Sequence, residues 1–350
     1  MSNYFLGETT ASGFKTDFGA LIEKDGYFTY IIKGGPGCGK SGLMKKVAAE
    51  FSKTEEVDLF FCSSDPNSLD AIDLKTSKII IVDGTSPHIF DASYPGISQI
   101  IVNLGECFDL DFLKENASKI CKLFNEIAAF HSRANKYVKA ISSVNNDIYE
   151  ISSGCILAEK FQKFIDRTFK KCFKFGEKIG SISYKKISAF SRDGYKTQPL
   201  DGYEKIFLLD DNYFSGSDKF LQSLAENAAG KGFDVIVSLG EMFEQSTFEH
   251  VLVPEIKTAF LSSNFVNKLD FKNANCINFM RFYDKEKISE KKCRLNFDKK
   301  MSEELLTEAV FSVQNAKKLH DNLEEFYIKA TDFEKVNLIT KRIISEIKSL

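Results

Sequence analysis

Short apolar runs alternate with longer stretches of helical spacing along this chain of 350 residues. Phe28 to Ile32, Val57 to Cys62, Lys78 to Val82 and Ile100 to Asn103 have the length and apolar character of strands. After the first run, Leu43, Val47 and Phe51 recur at the spacing of one helix face. Runs that are continuously apolar, rather than alternating, predict strands covered on both sides. That is the mark of a parallel sheet between helices, an α/β fold. Past Asn103 the pattern lengthens: Phe112, Ile120, Leu123, Phe124 and Ile127 share one face, as do Leu319, Leu323, Phe326 and Tyr327. Each sheet is therefore expected to carry a helical extension.

The same plan is written twice. Gly26-Tyr27 faces Gly202-Tyr203, and the strand at Phe28 faces one at Ile206 to Leu209. Upstream, Ser12 to Thr16 faces Asp193 to Thr197; downstream, Val57 to Phe61 faces Phe233 to Val237. Ile101 to Leu104 faces Cys276 to Phe279, and Phe108-Asp109 faces Tyr283-Asp284. The order and near-constant offset of these matches predict a tandem duplication. Glycines interrupt the helical pattern around Gly176 to Ser183, so the expected units are residues 1–180 and 181–350.

One stretch carries recognisable chemistry. Gly34-Gly35-Pro36-Gly37-Cys38-Gly39-Lys40-Ser41, followed by Gly42, satisfies G-x-x-x-x-G-K-[ST] between a strand and a helix. Glycines there let successive backbone N–H groups turn inward around a phosphate, and the helix start adds its positive end. Lys40 is expected on the β- and γ-phosphates, and the Ser41 hydroxyl on Mg²⁺. Four apolar residues followed by Asp83 supply the carboxylate that a Mg²⁺ site needs at the end of a neighbouring strand. Gly84 stands where many ATPases carry a base glutamate, which lowers the expected hydrolysis rate. His88, a few residues on, is a candidate to sense the terminal phosphate or orient water, against a plain structural role. Ser64, Asp65 and Asp70 follow the second strand and either sit beside the γ-phosphate or an acceptor substrate, or belong to an ordinary Asp65-Pro66-Asn67 turn. His131, His250 and His320 show no partners at metal spacing.

Gly35 to Ser41, Cys62 to Asp70 and Val82 to His88, with Tyr94-Pro95-Gly96 and Asn103 to Glu106, resemble a bacterial family of two-repeat P-loop ATPases from Gram-positive, spore-forming lineages. The resemblance runs over nearly the whole chain and implies a P-loop protein that binds ATP, with ATP preferred to GTP. In that family the second half often keeps its own phosphate loop. Here the matching stretch is Asp211 to Asp218, with Ser217 at the lysine position, Asp218 at the hydroxyl position and Ser262 in place of the metal-side aspartate. Two further carboxylates, Asp210 and Asp211, repel a triphosphate, so the second unit is expected to be a fold without a nucleotide site. Arg281 is the candidate for a charge supplied from the second half, against a surface ion pair.

Composition narrows the picture further. A formal charge of −2 argues against a nucleic-acid coat. The stripe of Lys163, Arg167, Lys170, Lys171, Lys174 and Lys178 reads as a solvated helix face. No run is long enough to span a membrane and no secretory leader is visible, so a soluble cytoplasmic protein is expected. Eight cysteines without a C-x-x-C pair predict free thiols and no zinc. Cys38, beside a lysine and a helix start, is either a small loop residue or a thiol of lowered pKa. The expected function is Mg²⁺-dependent ATP binding with slow hydrolysis coupled to conformational change. A small-molecule or nucleotide kinase and a nucleotide-gated interaction module without turnover are the alternatives, and a protein partner is left open.

Overall fold

The structure, a computed structural model, describes residues 1–86, 89–174 and 180–349. The first half runs β1 (Ser2–Phe5), β2 (Gly7–Thr10), β3 (Gly13–Thr16), α1 (Phe18–Ile22), β4 (Phe28–Lys33), α2 (Lys40–Phe51), β5 (Val57–Phe61), β6 (Leu69–Leu74), β7 (Ile79–Asp83) and β8 (Gln99–Asn103). Then come α3 (Leu110–Glu115), α4 (Ala117–Ser153) and α5 (Ala158–Cys172). The second half runs β9 (Ile182–Tyr184), β10 (Ser188–Ser191), β11 (Gly194–Thr197), β12 (Lys205–Asp210), α6 (Ser215–Gly230), β13 (Val235–Gly240), β14 (Thr247–Val253), β15 (Thr258–Ser263) and β16 (Asn275–Asn278). It closes with α7 (Lys285–Glu290), α8 (Lys292–Ala330) and α9 (Phe333–Lys348). None of these helices is long and apolar enough to cross a membrane.

Both halves build a six-stranded sheet of the same order: β1-β5-β6-β7-β4-β8, and β9-β13-β14-β15-β12-β16. Neither sheet is wholly parallel, which corrects the all-parallel expectation. β6 runs antiparallel to both β5 and β7, and β14 does the same between β13 and β15. The pattern hid β6 because Asp70 and Asp73 interrupt its apolar run, yet all six of its residues are buried. Asp73 is accommodated there by Lys24 at 3.0 Å and Lys75 at 2.5 Å. A register shift falls at the matching place in both sheets, between Phe60 and Phe61 and between Ser238 and Leu239. β4 keeps parallel neighbours on both sides, β7 and β8, so the loop leaving its C-terminal end opens where open α/β sheets bind ligands.

The chain forms two compact units, and the helical tails are exchanged between them. The first unit is Met1–Glu8, Lys15–Arg133 and Phe311–Leu350; the second is Thr9–Phe14 and Ala134–Val310. This differs from a break between residues 180 and 181. The expected glycine boundary also falls partly outside the described residues, at 175–179. The physical reason lies in the apolar faces of the last helices. Val336, Ile343 and Ile347 of α9 join Leu43, Met44, Val47 and Phe51 of α2 in the core of the first sheet. Phe161 and Ile165 of α5 join Phe220, Leu221 and Leu224 of α6 in the core of the second. Periodicity identifies such a face but not the sheet it covers.

Candidate functional site

The site grows from the end of β4. Its last residue, Lys33, leads into the glycine-rich stretch, and α2 begins at Lys40. Gly39 sits at the helix cap with φ of 96°, a left-handed conformation that costs other residues energy. No side chain caps α2, and its first turn carries no acidic residue. Its leading N–H groups therefore form a positive end without a built-in counter-charge.

Lys40 turns back over this loop. Its Nζ donates to the carbonyls of Gly35 at 2.8 Å and Gly34 at 3.2 Å, and lies 3.6 Å from Asp83 Oδ2. Asp83 ends β7, and the sheet register places it beside Ile32 of β4. Its other oxygen accepts from the backbone N–H of Thr85 at 2.9 Å and from the Thr85 hydroxyl at 2.5 Å. Ser41 Oγ accepts from the N–H of Leu69 at 2.9 Å, which ties the helix start to β6. The loop from Gly34 to Gly42, Lys40, Ser41 and Asp83 are thus brought together. His88 lies outside the described residues. An added Cβ at Gly84 would come within 2.6 Å of Ile31 Cγ2, so a glutamate has no room there.

Burial sets the protonation chemistry around the loop. Asp70 on β6 is buried; desolvation foremost, then the charge of Asp83, pushes its carboxyl up to about 8. Cys38 is fully buried, and desolvation outweighs Lys40 in raising its thiol, which corrects the lowered value that its neighbours alone predict. Asp65 forms the turn before β6, accepting from Ser68 Oγ at 3.2 Å, and also pairs with Lys317 at 3.3 Å.

That last contact comes from the end of α8, which covers the loop. A Cβ at Gly35 would stand 2.4 Å from the Tyr327 ring, and one at Gly37 would stand 3.1 Å from Glu324 and Ile328. At Gly39 the nearest atoms belong to Val336 and Phe333 of α9. The glycines thus admit a helix pair as well as a turn. Lys317, His320, Asp321 and Glu324 all lie on this stretch of α8. His320 Nδ1 is 3.6 Å from Glu324 Oε1. His320, Asp321 and Glu324 offer ligand atoms within 4.8 Å of one another, so His320 does have neighbours at metal spacing. The helical repeat of these residues was a visible signal, but nothing in the sequence tied it to the loop.

The matching loop of the second unit is filled by the chain itself. Asp211 Oδ2 accepts from the N–H of Ser217 at 2.8 Å, and Oδ1 from the N–H of Tyr213 at 3.1 Å. The Tyr283 hydroxyl donates to the same carboxylate at 3.0 Å and accepts from the N–H of Gly216 at 2.8 Å. Where the first unit has the Lys40–Asp83 pair, this one has Ser217 and Ser262, hydroxyl to hydroxyl at 3.1 Å. Asp218 accepts from the N–H of Phe248 at 2.7 Å, the place Ser41 takes toward Leu69. A cavity of about 20 Å³ remains beside Phe214, Ser217 and Asp218, room for about one water. Arg281 has its guanidinium over the rings of Phe282 and Phe164, at 4.8 and 5.4 Å. No family model, no curated protein and no solved structure matches this chain.

Proposed function

We propose that the β4–α2 loop is a P-loop that binds ATP through Gly34 to Gly42, with Lys40 on the β- and γ-phosphates and Mg²⁺ held by Ser41 and Asp83. The reaction is slow ATP hydrolysis coupled to conformational change. The observation that carries this reading is Lys40 itself. It opens an uncapped helix, rests on two loop carbonyls and stands 3.6 Å from a strand-end carboxylate. Carbonyl oxygens are weak partners for an ammonium, and an incoming phosphate would replace them with charge-assisted bonds. A hydroxyl and a carboxylate are hard oxygen donors of the kind Mg²⁺ prefers, so the residues present fit the ion. The crowded position of Gly84, with no acid after Asp83, supports a low rate.

We also propose that the two halves descend from one duplicated unit, and that only the first keeps the nucleotide site. The shared strand order and matched register shift support the first statement. The carboxylate of Asp211 on the loop N–H groups of the second unit supports the other. Lys40→Ala is expected to weaken ATP binding by about 2–3 kcal/mol, the worth of a charge-assisted contact, while leaving the fold intact. Titration calorimetry measures this; an unchanged affinity would refute the phosphate-loop reading.

A further inference from the structure

The stretch of α8 over the loop carries more charge chemistry than packing requires. Lys317, His320, Glu324 and Tyr327 are spaced to share one helix face. Tyr327 and Glu324 are in van der Waals range of Gly35 and Gly37, and Lys317 reaches Asp65 at 3.3 Å and pairs with Asp321. The chain contains its own control. Asp109 and Asp284 cap α3 and α7, the equivalent helices that lead into α4 and α8. Counting on from these, Ser142, Asn145, Tyr149 and Ser152 of α4 fall opposite the four α8 residues. These α4 residues serve structure: Asn145 donates to the carbonyl of Met242, Tyr149 to Asp218, and Ser152 to the carbonyl of Tyr213. The cation, imidazole and carboxylate occur over the loop that keeps Lys40, Ser41 and Asp83. Neutral groups occur over the loop that has lost them.

We propose that His320, positioned by Glu324, is the base for the water that attacks the terminal phosphate at this loop, with Lys317 offsetting the charge that develops. The inference rests on the ATP reading above. The water oxygen bonds to the terminal phosphorus, the bond to the bridging oxygen breaks, and its electron pair leaves with ADP. The water proton passes to the His320 ring and from there to solvent. A group of this kind replaces the glutamate for which Gly84 leaves no room.

The surroundings keep the ring ready to accept a proton. Burial first, then Lys317 and Lys40, holds His320 below the ordinary histidine range against the pull of Asp321 and Asp65. His131 of α4 is another titratable group that feels the His320 charge. Glu324 is held above the ordinary carboxylate range, mainly by burial. His320 Nδ1 is buried and makes no hydrogen bond, while Glu324 Oε1 stands 3.6 Å away, an ion-pair distance that takes effect once the ring has accepted a proton.

The test is ATP hydrolysis by the full chain as a function of pH, with binding of a fluorescent ATP analogue measured alongside. His320→Gln is expected to bind the analogue within about threefold of wild type and to lose about 10²-fold or more in turnover. The acid limb of its pH–rate profile should vanish. Glu324→Gln should shift that limb and lower turnover less, as befits a positioning residue. Should His320→Gln misfold, His320→Asn gives the same reading. Turnover and acid limb unchanged in a variant that binds the analogue would overturn the proposal and leave the ATP reading standing. A wild-type chain that binds ATP without hydrolysing it would also overturn the proposal and would leave only the binding part of the ATP reading standing. Failure of the wild-type chain to bind ATP would remove both.

Discussion

His250 shows what burial does to a single residue in this chain. It sits on β14 with no exposure, its Nε2 within 2.7 Å of Ser188 Oγ and its Nδ1 without a hydrogen-bond partner. Desolvation pushes it down to about 3, because a charged ring there would lose its hydration. In the unfolded chain the ring titrates at roughly 6.5. The folded-state value is depressed, so the stabilisation is complete above the unfolded value. It is lost as pH falls toward the folded one, at about 1.4 kcal/mol per pH unit. Urea unfolding of the second unit between pH 7 and 5 should show this loss, and His250→Gln should reduce the slope. An equal slope in the variant would contradict the assignment. Asp70, pushed up to about 8, is the same effect in an acid, and neither shift was legible in the sequence. Motif spacing identified Gly34 to Gly42, Lys40 and Ser41 as neighbours because the residues of a tight turn are fixed by chain connectivity, and Asp83 joins them because an apolar strand ending in it pairs with β4. Burial depends on what packs from elsewhere, as the raised Cys38 thiol illustrates.

Among the elements, α8 and β6 were the least visible. The helical face with Tyr327 was expected, but its partner is the loop at Gly35. Gly35→Ala would bring a methyl group within 2.4 Å of the Tyr327 ring, forcing the ring or α8 to move. Overpacking of this kind costs about 1–3 kcal/mol. In a Tyr327→Ala background the same change should cost much less, a coupling that thermal unfolding of the four variants would measure. Equal cost in both backgrounds would mean that the ring does not limit the loop. β6 was hidden for the opposite reason. Its two aspartates look like turn residues until the lysines that neutralise Asp73 are seen from Lys24 and Lys75. Strands β4, β5, β7 and β8, whose neighbours are mostly apolar, were legible almost to the residue.

At the scale of the molecule, the likeness of the two sheets was readable in the order and near-constant offset of the matched residues, whereas the exchange of tails was not. An apolar face on α9 satisfies either sheet on composition alone, and only packing selects α2 as its partner. The exchange matters for function: the helix that covers the first loop belongs to the second half of the sequence. Nucleotide binding at that loop would therefore act directly on α8 and α9. The second loop offers no such handle, with its N–H groups already on Asp211 and Tyr283. We propose a single ATP site per chain, built on Lys40 and Asp83. Calorimetric titration of the intact chain with Mg²⁺-ATP tests it most directly. One site per chain, weakened by about 2–3 kcal/mol in Lys40→Ala, is the result predicted; two equivalent sites, or binding that survives Lys40→Ala unchanged, would contradict it.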